Sequence, residues 1–195
     1  MKEILNELIA HRSLSKDTAR QMLVELASGK HNTSQMTAFM TIYMMRAITI
    51  EELEGFRDAM LELCIPVRFD QPVMDLCGTG GDGKNTFNIS TLSSFVVAAA
   101  GQPVAKHGNY GVSSVSGSSN VLEYFGYKFT NDREALARSL DSANIFFMHA
   151  PLFHPAMKNV APIRRELGVK TFFNILGPMV NPAFPSRQIV GVFSL

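Results

Sequence analysis

The chain has 195 residues, of which 46% are hydrophobic and 18% charged, and its formal net charge is +1 at pH 7. That length fits one large or two small domains, and the composition is too apolar for a disordered chain. The balanced charge excludes a bulk basic field that would gather nucleic acid or acidic membrane. Two cysteines, Cys64 and Cys77, are too few for a disulfide framework and favour a reducing compartment.

The N-terminal sequence, Met1-Lys2-Glu3-Ile4-Leu5, mixes charged and apolar residues as an amphipathic helix does, unlike a signal peptide. The most apolar stretch, residues 95–100, is far too short to span a bilayer. The sequence therefore predicts a cytoplasmic protein that binds neither membrane nor nucleic acid.

Glycine, proline and charge divide the chain into two parts. Residues 1–70 hold two glycines and one proline and carry a net charge of −2, whereas residues 71–195 hold twelve glycines and eight prolines and carry +3. We therefore predict a helical domain over residues 1–69 and an α/β domain over residues 70–195, with a turn-like linker at 66–72.

Four helices are predicted in the first part. Ser15 is suited to cap the second helix, Gly29 to end it, and Thr33 to start the third, while Thr49-x-x-Glu52 is a capping box for the fourth. Seven of the eleven methionines lie in this part. They either fill irregular gaps in the core or form a helical surface that is buried against a partner subunit.

In the second part, short apolar runs alternate with glycine-rich turns and helical patterns. This alternation is typical of a mainly parallel sheet with helices packed on it, whose ligands bind at the carboxyl ends of the strands. Strands are predicted over residues 73–76, 103–105, 144–148 and 188–193, a buried helix over 92–100, and further helices over 121–125 and 133–140.

The first predicted strand runs into Gly78-Thr79-Gly80-Gly81-Asp82-Gly83. Its four glycines leave backbone N–H groups bare, and together with the N-terminus of the next helix these groups can hold phosphate oxygens. The loop matches neither a Walker sequence nor the spacing of Gly-x-Gly-x-x-Gly, so an ordinary flexible turn is the alternative. An acid such as Asp82 is unfavourable beside phosphate unless it binds a hydroxyl, an amine or a metal-bound water.

A second polar loop, residues 106–119, follows the second strand and begins Lys106-His107-Gly108-Asn109. Lys106 at a strand end can neutralise a phosphate, and the serine hydroxyls and bare N–H groups of the loop can bind further oxygens. A simple linker is the alternative. His107 is either a general base or a residue that orients the loop by hydrogen bonding.

A third polar segment, residues 154–165, ends in the pair Arg164-Arg165. Adjacent arginines can hold a carboxylate in a bidentate fork, or they can lie on a solvated helix face. The histidines and cysteines show no spacing typical of metal ligands, and neither a Ser/His/Asp arrangement nor Gly-x-Ser-x-Gly is visible in the sequence.

Taken in order, these segments resemble the anthranilate phosphoribosyltransferases, which catalyse the second step of tryptophan biosynthesis from chorismate. The resemblance spans the whole chain, and the ordered set of motifs is far more specific than any single one. It implies a fold shared with nucleoside phosphorylases, in which a small helical domain forms the homodimer and a larger α/β domain has a mainly parallel sheet. The motifs are Gly78-Thr79-Gly80-Gly81-Asp82, Asn88-Ile89-Ser90-Thr91, Lys106-His107-Gly108-Asn109, residues 154–160 and Asn174-Ile175-Leu176-Gly177-Pro178.

The resemblance implies transfer of the phosphoribosyl group of phosphoribosyl pyrophosphate to the amine of anthranilate, with Mg²⁺ as cofactor. It assigns catalysis to Asp82, Lys106 and His107, and magnesium binding to Ser90. The anthranilate contacts that it implies are Gly78, Asn109 and Arg164, with His107 and Pro178 lining the same channel. The implied contacts to phosphoribosyl pyrophosphate are Gly78, Gly81, Asp82, Thr86, Asn88, Ile89, Ser90, Thr91, Lys106, His107, Gly108, Asn109, Tyr110, Gly111, Val112, Ser113, Ser114 and Ser118.

Three features depart from the family pattern. Tyr110 stands where many members have arginine, and Asn120 stands where aspartate is usual. Family members also continue well past the position of Leu195, and their paired magnesium-binding acids lie in that further part. The resemblance therefore implies a chain that is incomplete at its C-terminus, and it leaves open whether this chain is active by itself.

Three alternatives compete with this interpretation. A pyrimidine nucleoside phosphorylase shares the two-domain fold but is expected to read Lys-His-Ser, where this chain reads Lys106-His107-Gly108. A relative that binds nucleic acid needs a basic face, for which a net charge of +3 over residues 71–195 is thin support. The third alternative is an inactive fragment that only dimerises.

Overall fold

The structure is a computed structural model that describes residues 1–80, 87–111 and 116–192. These residues form helices and one four-stranded parallel sheet, which is the predicted class of a helical part followed by an α/β part. Within the described residues, neither Cys64 nor Cys77 is in a disulfide. No helix within the described ranges is long and apolar enough to cross a bilayer.

The elements follow one another with short connections. In chain order they are α1 (Lys2–Ile9), α2 (Lys16–Ala27), α3 (Thr33–Met45), α4 (Ile50–Glu62), β1 (Met74–Gly78), α5 (Ile89–Ala99), β2 (Val104–Gly108), α6 (Ser118–Tyr124), α7 (Arg133–Ala143), β3 (Ile145–His149), α8 (Ala150–Phe153), a 3₁₀ turn (Pro155–Asn159), α9 (Ala161–Leu167), α10 (Phe173–Leu176), a second 3₁₀ turn (Gly177–Met179) and β4 (Arg187–Gly191).

The chain divides into two compact units that interleave in sequence. The helical unit comprises Met1–Cys64 and His154–Val180, and the α/β unit comprises Ile65–Phe153 and Asn181–Leu195. The chain thus leaves the helical unit and later returns to it. The predicted division has a single boundary after residue 69 and does not include this return. Residues 65–69 belong to the α/β unit.

Local sequence signals set the ends of the first helices. Ser15 caps α2 by accepting from the Thr18 N–H at 3.3 Å, as predicted. The Asn32 side chain caps α3, and Thr49 and Glu52 form the predicted reciprocal capping box of α4. These caps fix where each helix begins because they satisfy N–H groups that the helix itself leaves unpaired.

An aromatic cluster explains why the later segment returns to the helical unit. Phe172 stacks on Phe56 with ring centroids 4.6 Å apart, and it meets Tyr43 edge-on at 5.3 Å. Phe39 packs against the same group and is fully buried. Four methionines, at positions 22, 36, 40 and 60, are buried in this core, which favours gap filling for these four, whereas Met45 is exposed.

The sheet of the α/β unit has the order β3-β2-β1-β4 with every pair parallel. Helices cover both faces. Leu136 and Leu140 of α7 pack with Phe146 on one face, and Ala98 of α5 packs with Val104 on the other. Side chains of neighbouring strand positions point to opposite faces, so each strand feeds both cores.

The prediction of a buried helix over residues 92–100 is wrong for most of its apolar side chains. Leu92, Phe95 and Val96 are 55%, 46% and 61% exposed, whereas the small residues Ser94 and Ala98 of α5 are buried. Small side chains let the helix approach the sheet closely. The apolar run therefore marks the outward face, which hydrophobicity alone does not indicate.

Candidate functional site

The strand order places a crevice at the carboxyl end of β1. This strand lies between β2 and β4, so the chain leaves it on one side and returns on the other. Open α/β sheets bind ligands at such a switch point. Gly78 ends β1 opposite Gly191, and the Thr79 N–H donates to the Gly191 carbonyl at 3.0 Å. The start of the predicted glycine loop therefore lies at the switch point.

The first turn of α5 adds an anion-binding element to the same unit. The Asn88 side chain caps the helix by accepting from the Thr91 N–H at 3.4 Å. The Thr91 hydroxyl is buried and has no hydrogen-bond partner within the described part of the chain, and Ser90 is half-buried. Because the first N–H groups of a helix lack intrahelical partners, this turn offers the Ser90 hydroxyl and the N–H groups that Asn88 leaves uncapped to an anion.

Lys106 lies inside β2, where it is 2% exposed. Backbone pairing of β1 with β2 is formed between Met74 and Val104. Two residues further along each strand, the Lys106 ammonium donates to the Leu76 carbonyl oxygen at 2.7 Å and bridges the two strands. An ammonium has three N–H bonds, so two donors are left for a ligand or water.

Asp75, the residue before Leu76, faces Lys106 as a second buried charge. Its carboxylate accepts from the Gln188 side chain at 3.1 Å and from the His107 N–H at 3.5 Å. Burial raises the pKa of Asp75 and lowers that of Lys106, and each charge opposes the shift of the other. The pair thus keeps a cation and an anion in the interior below the switch point.

Two glycines let the ends of the second loop touch. A Cβ on Gly117 would lie 2.4 Å from the Gly111 nitrogen and 2.5 Å from the Asn109 oxygen. A Cβ on Gly108 would lie 2.0 Å from Oγ of Ser118. The approaches at Gly117 are to backbone atoms and require glycine, since real Cβ atoms essentially never come within 3.0 Å of other heavy atoms, whereas the Ser118 hydroxyl near Gly108 belongs to a side chain that can rotate.

Asn120 fastens this loop from the first turn of α6. Its Oδ1 accepts from the Gly111 N–H at 3.0 Å and from the Gly117 N–H at 2.9 Å. The residue that departs from the family pattern therefore has a structural role that an amide oxygen fulfils. Asn120 holds Gly111 and Gly117 together, and the predicted ligand contacts at positions 112–114 lie between these two glycines in the sequence.

Asn109 and Tyr110 follow β2 and are exposed. The Asn109 Oδ1 accepts from the Tyr110 N–H at 2.8 Å, and its backbone carbonyl accepts from the Ser119 N–H at 3.1 Å. The Tyr110 hydroxyl donates to Glu123 at 3.2 Å. The arginine that is usual at position 110 is thus replaced by a phenol tied to α6.

Arg164 lies in α9 of the helical unit. Its guanidinium stands over the Phe173 ring, 5.0 Å from the centroid, and burial lowers its pKa. Within the described residues no carboxylate pairs with it, while its neighbour Arg165 is exposed. A desolvated guanidinium without an acidic partner is suited to bind a carboxylate.

The predicted residues fall into three groups. One group lies in the α/β unit at the ends of β1 and β2 and at the starts of α5 and α6, whereas Arg164 and Pro178 belong to the helical unit. No cluster of three or more acids, histidines or cysteines suited to a metal occurs in the described ranges. Outside the described residues lie Gly81, Asp82, Thr86, Val112, Ser113 and Ser114.

Sequence reasoning missed Asp75 and His149. Asp75 interrupts the apolar run Val73-Met74-Asp75-Leu76, and an acid in a buried strand is a signal for a polar partner nearby. His149 follows the apolar run 145–148 at a strand end, the same position that drew attention to Lys106. The rule that parallel strands gather polar residues at their carboxyl ends applies to His149 but not to Asp75, which is the second residue of β1.

Comparison with protein families matches both units. Residues 2–64 match the helical bundle domain of the glycosyl transferase family, and residues 70–195 match its a/b domain.

Named relatives agree with that match. An anthranilate phosphoribosyltransferase of Christiangramia forsetii is 66% identical over the whole chain, and one of Bacteroides fragilis is 55% identical. This chain spans 59% of the length of each. Such names do not favour the nucleoside phosphorylase alternative.

Solved structures of anthranilate phosphoribosyltransferases also resemble this chain. The anthranilate phosphoribosyltransferase of Thermus thermophilus has a TM-score of 0.87 at 37% identity, over 97% of this chain and 58% of that one. The Saccharomyces cerevisiae enzyme in complex with PRPP (phosphoribosyl pyrophosphate) and Mg has a TM-score of 0.85 at 27% identity, over 97% and 57%. The sequence resemblance is therefore confirmed, and this chain is a member of the glycosyl transferase family with helical bundle and a/b domains.

Proposed function

We propose that the chain carries the phosphoribosyl pyrophosphate site of an anthranilate phosphoribosyltransferase, which forms N-(5-phosphoribosyl)anthranilate and pyrophosphate. The observation that carries this proposal is the placement of two glycine-containing segments at the carboxyl ends of β1 and β2, with the buried Lys106 ammonium bridging the middle of the same two strands. Relatives that are 66% identical bear this enzyme's name. The chain spans 59% of their length. We therefore propose substrate binding and turnover as two separate claims, each with its own test.

The phosphosugar is held mainly by backbone and hydroxyl groups. The first turn of α5, with Ser90 and Thr91, receives the phosphate oxygens. The second loop, with Asn109, provides further contacts, and it follows the first motif along the chain as expected of the family. Lys106 supplies a positive charge from below, because two of its donors are not used by Leu76. The predicted contacts outside the described residues, including Asp82, stay predictions.

Mg²⁺ fits this site as an ion that arrives with the pyrophosphate. Magnesium keeps several waters and binds through few protein groups plus substrate phosphates, and Ser90 provides a half-buried hydroxyl at the helix start. When bound, the ion neutralises charge on the leaving pyrophosphate.

Arg164 binds the anthranilate carboxylate. Its guanidinium is desolvated, has no acidic partner among the described residues and is backed by the Phe173 ring. A bidentate pair with the ortho carboxylate would fix the plane of the substrate and direct its amine. Gly78 and Asn109 are the further proposed contacts.

In the reaction, the anthranilate nitrogen forms a bond to the anomeric carbon while the bond from that carbon to the pyrophosphate oxygen breaks. The amine then loses a proton, for which His107 or water is the acceptor. Lys106 and the N–H groups of α5 stabilise negative charge on the departing group. An aromatic amine is already nucleophilic, so alignment of the two substrates contributes more than a strong base.

The helical unit forms the homodimer, and the protein works in the cytoplasm. Its surface exposes Ile9, Met45 and Ile50, at 65%, 83% and 78%. Exposed apolar side chains of this size favour burial against a partner. Sedimentation of the wild-type chain and of Met45→Glu tests this, with a dimer that dissociates in the variant as the expected result.

Calorimetry of the whole chain with phosphoribosyl pyrophosphate and Mg²⁺ tests the binding claim. We expect saturable heat with this ligand and at least about tenfold weaker binding of ribose 5-phosphate, which lacks the pyrophosphate. Loss of anthranilate fluorescence on addition of both reagents tests turnover. A folded chain that binds ribose 5-phosphate equally well, or neither ligand, contradicts the proposed function.

A further inference from the structure

His149 ends β3 next to Gly108 of β2 in the sheet register. It is 7% exposed. Its ring stacks on Phe129 with centroids 4.4 Å apart and 15° between the planes, and Tyr110 meets it edge-on at 4.9 Å. These two ring contacts restrict the orientation of the imidazole and of its two nitrogens.

One of those nitrogens reaches the second loop. Nδ1 of His149 lies 2.9 Å from Oγ of Ser119, which is fully buried. The Ser119 N–H in turn donates to the Asn109 carbonyl at 3.1 Å. A continuous set of contacts therefore runs from His149 through Ser119 to Asn109, and a ring contact runs from His149 to Tyr110.

We propose that His149 is a positioning residue, which acts through Ser119 and through the Tyr110 ring to hold Asn109 and Tyr110 where they bind the phosphosugar. This inference rests on the proposed function, since both loop residues are proposed contacts of phosphoribosyl pyrophosphate. His149 itself stays below the loop and touches neighbours within the protein.

The ionisation of His149 provides a readout. Burial lowers its pKa from 6.5, and the charge of Glu123 opposes that shift. Among the described residues, the Tyr110 phenol is a second titratable group that faces the ring. A neutral imidazole can donate or accept at Nδ1, whereas the protonated ring only donates and forces the Ser119 hydroxyl to accept. Acid therefore changes the bond on which the loop depends.

Three variants separate the hydrogen bond from the ring. His149→Phe keeps the ring on Phe129 and removes Nδ1, Ser119→Ala removes the partner, and His149→Asn keeps a polar atom near the Nδ1 position. We expect the first two to weaken phosphoribosyl pyrophosphate binding about tenfold each, without adding in the double variant, and His149→Asn to restore most of the loss. His31→Phe, in the helical unit, is the matched control.

The pH profile of binding gives a second readout. Phosphate protonation affects every chain alike, so the ratio of wild-type to His149→Phe affinity isolates the histidine. We expect this ratio to change as the pH falls below 6.5, because the protonated ring carries a charge beside Ser119 and can only donate at Nδ1. A ratio that does not change with pH contradicts the inference, because a purely structural role would not follow the titration of His149.

Hydrogen exchange of the free chain makes the test independent of ligand binding. The Ser119 amide should exchange about tenfold faster in His149→Phe than in the wild type and at an unchanged rate in His31→Phe. If wild type fails to bind the phosphosugar, the proposed function fails, and unchanged Ser119 exchange in His149→Phe then overturns the positioning role as well. If His149→Phe does not fold, the affinity for phosphoribosyl pyrophosphate and the exchange rate of the amide at position 119 are measured in Ser119→Ala instead. Values equal to those of the wild type in that variant overturn the inference.

Discussion

The Lys106 ammonium donates a hydrogen bond to the Leu76 carbonyl oxygen, 2.7 Å away, at the place where backbone pairing between β2 and β1 gives way to side-chain bridges. The Asp75 carboxylate lies in the same buried region and accepts from the His107 N–H. Burial lowers the pKa of Lys106, and the Asp75 charge raises it. The charge state of the lysine therefore depends on an acid that no ligand needs to touch.

Replacement of Asp75 by Asn should shift the pH dependence of ligand binding. Without the carboxylate, the pKa of Lys106 falls further, so the ammonium loses its proton at a lower pH. We expect affinity for phosphoribosyl pyrophosphate to decline in both chains as the pH rises towards 10.5, with the decline starting at a lower pH in Asp75→Asn. Calorimetric titrations across that range measure it.

Asp70→Asn is the control for this shift, because Asp70 is exposed. Its profile should overlay that of the wild type. If Asp75→Asn also overlays the wild type, the proposed coupling of the two buried charges is wrong.

Glu52 of α4 is fully buried and accepts hydrogen bonds from Tyr43 of α3 and from the segments that precede α2 and α4. Burial alone would raise its pKa, but hydrogen bonds from Arg46, Thr49, Leu14 and Tyr43 lower it to about 2. A folded-state pKa below the unfolded value adds stability above pH 4.5, and this stability is lost as the pH falls towards 2. Glu52→Gln should therefore be less stable at pH 7 and lose less on acidification.

Chemical unfolding at several pH values measures this effect, with Glu51→Gln as the matched control. Glu51 is the exposed neighbour of Glu52. We expect a loss of about 3 kcal/mol at pH 7 for Glu52→Gln, typical of breaking a buried charged network, and less than about 0.5 kcal/mol for Glu51→Gln. Equal losses in the two variants would contradict the central role of Glu52.

Parts of the fold with local causes could be predicted from the sequence. The Ser15 cap and the Thr49 and Glu52 box lie within four residues of the N–H groups they satisfy, so the pattern alone locates them. The stacking of Phe172 on Phe56 joins residues more than a hundred positions apart. No local pattern encodes such a pair, which is why the return of residues 154–180 was not evident from composition.

The candidate site divides in the same way. Gly78 could be predicted because glycine-rich turns at strand ends point to anions, and Lys106 was predicted as a cation at a strand end, whereas β2 extends to Gly108 and holds Lys106 in its middle. That Lys106 would be buried against the Leu76 carbonyl could not, since this depends on the register of two strands. His149 and Ser119, thirty residues apart, likewise meet only because β3 lies beside β2.

His154 gives the helical unit a second pH dependence at a higher pH. Burial lowers its pKa to about 4, against hydrogen bonds from the ring to the Val180 and Met60 backbone. The neutral form is thus favoured in the folded state. Stability is complete above pH 6.5 and falls as the pH drops towards 4, because the unfolded chain binds the proton more strongly.

His154→Gln should remove the dependence between pH 6.5 and 4 and leave the steeper loss below pH 4.5 that Glu52 causes. Urea midpoints at closely spaced pH values separate the two ranges. An unchanged slope between pH 6.5 and 5 in His154→Gln would show that another group titrates there.

Gly117 is required for the second loop to close. A Cβ there would lie 2.4 Å from the Gly111 nitrogen and 2.5 Å from the Tyr110 carbonyl carbon, both of which are backbone atoms that cannot rotate away. Gly117→Ala should weaken phosphoribosyl pyrophosphate binding by at least about tenfold through displacement of the loop. Gly177→Ala, at a glycine with open space around its Cβ position, is the control for the unfolding midpoint, which should not change.

Arg164 and Arg165 are adjacent in α9 and provide a matched test of the anthranilate site. The Arg164 guanidinium is desolvated and backed by Phe173, whereas Arg165 is exposed. Arg164→Gln removes a bidentate partner for a carboxylate and should raise the anthranilate Kd about tenfold or more, while the affinity for phosphoribosyl pyrophosphate stays within about twofold. Arg165→Gln should change neither value, since its charge faces solvent.

Fluorescence titration with anthranilate and with aniline distinguishes recognition of the carboxylate from general damage. Aniline lacks the carboxylate, so its binding should be as weak in wild type as in Arg164→Gln. If Arg164→Gln instead loses affinity for both amines, or if Arg165→Gln shows the larger loss for anthranilate, the carboxylate does not bind at Arg164, and the ion pair that orients the amine must be sought on another side chain.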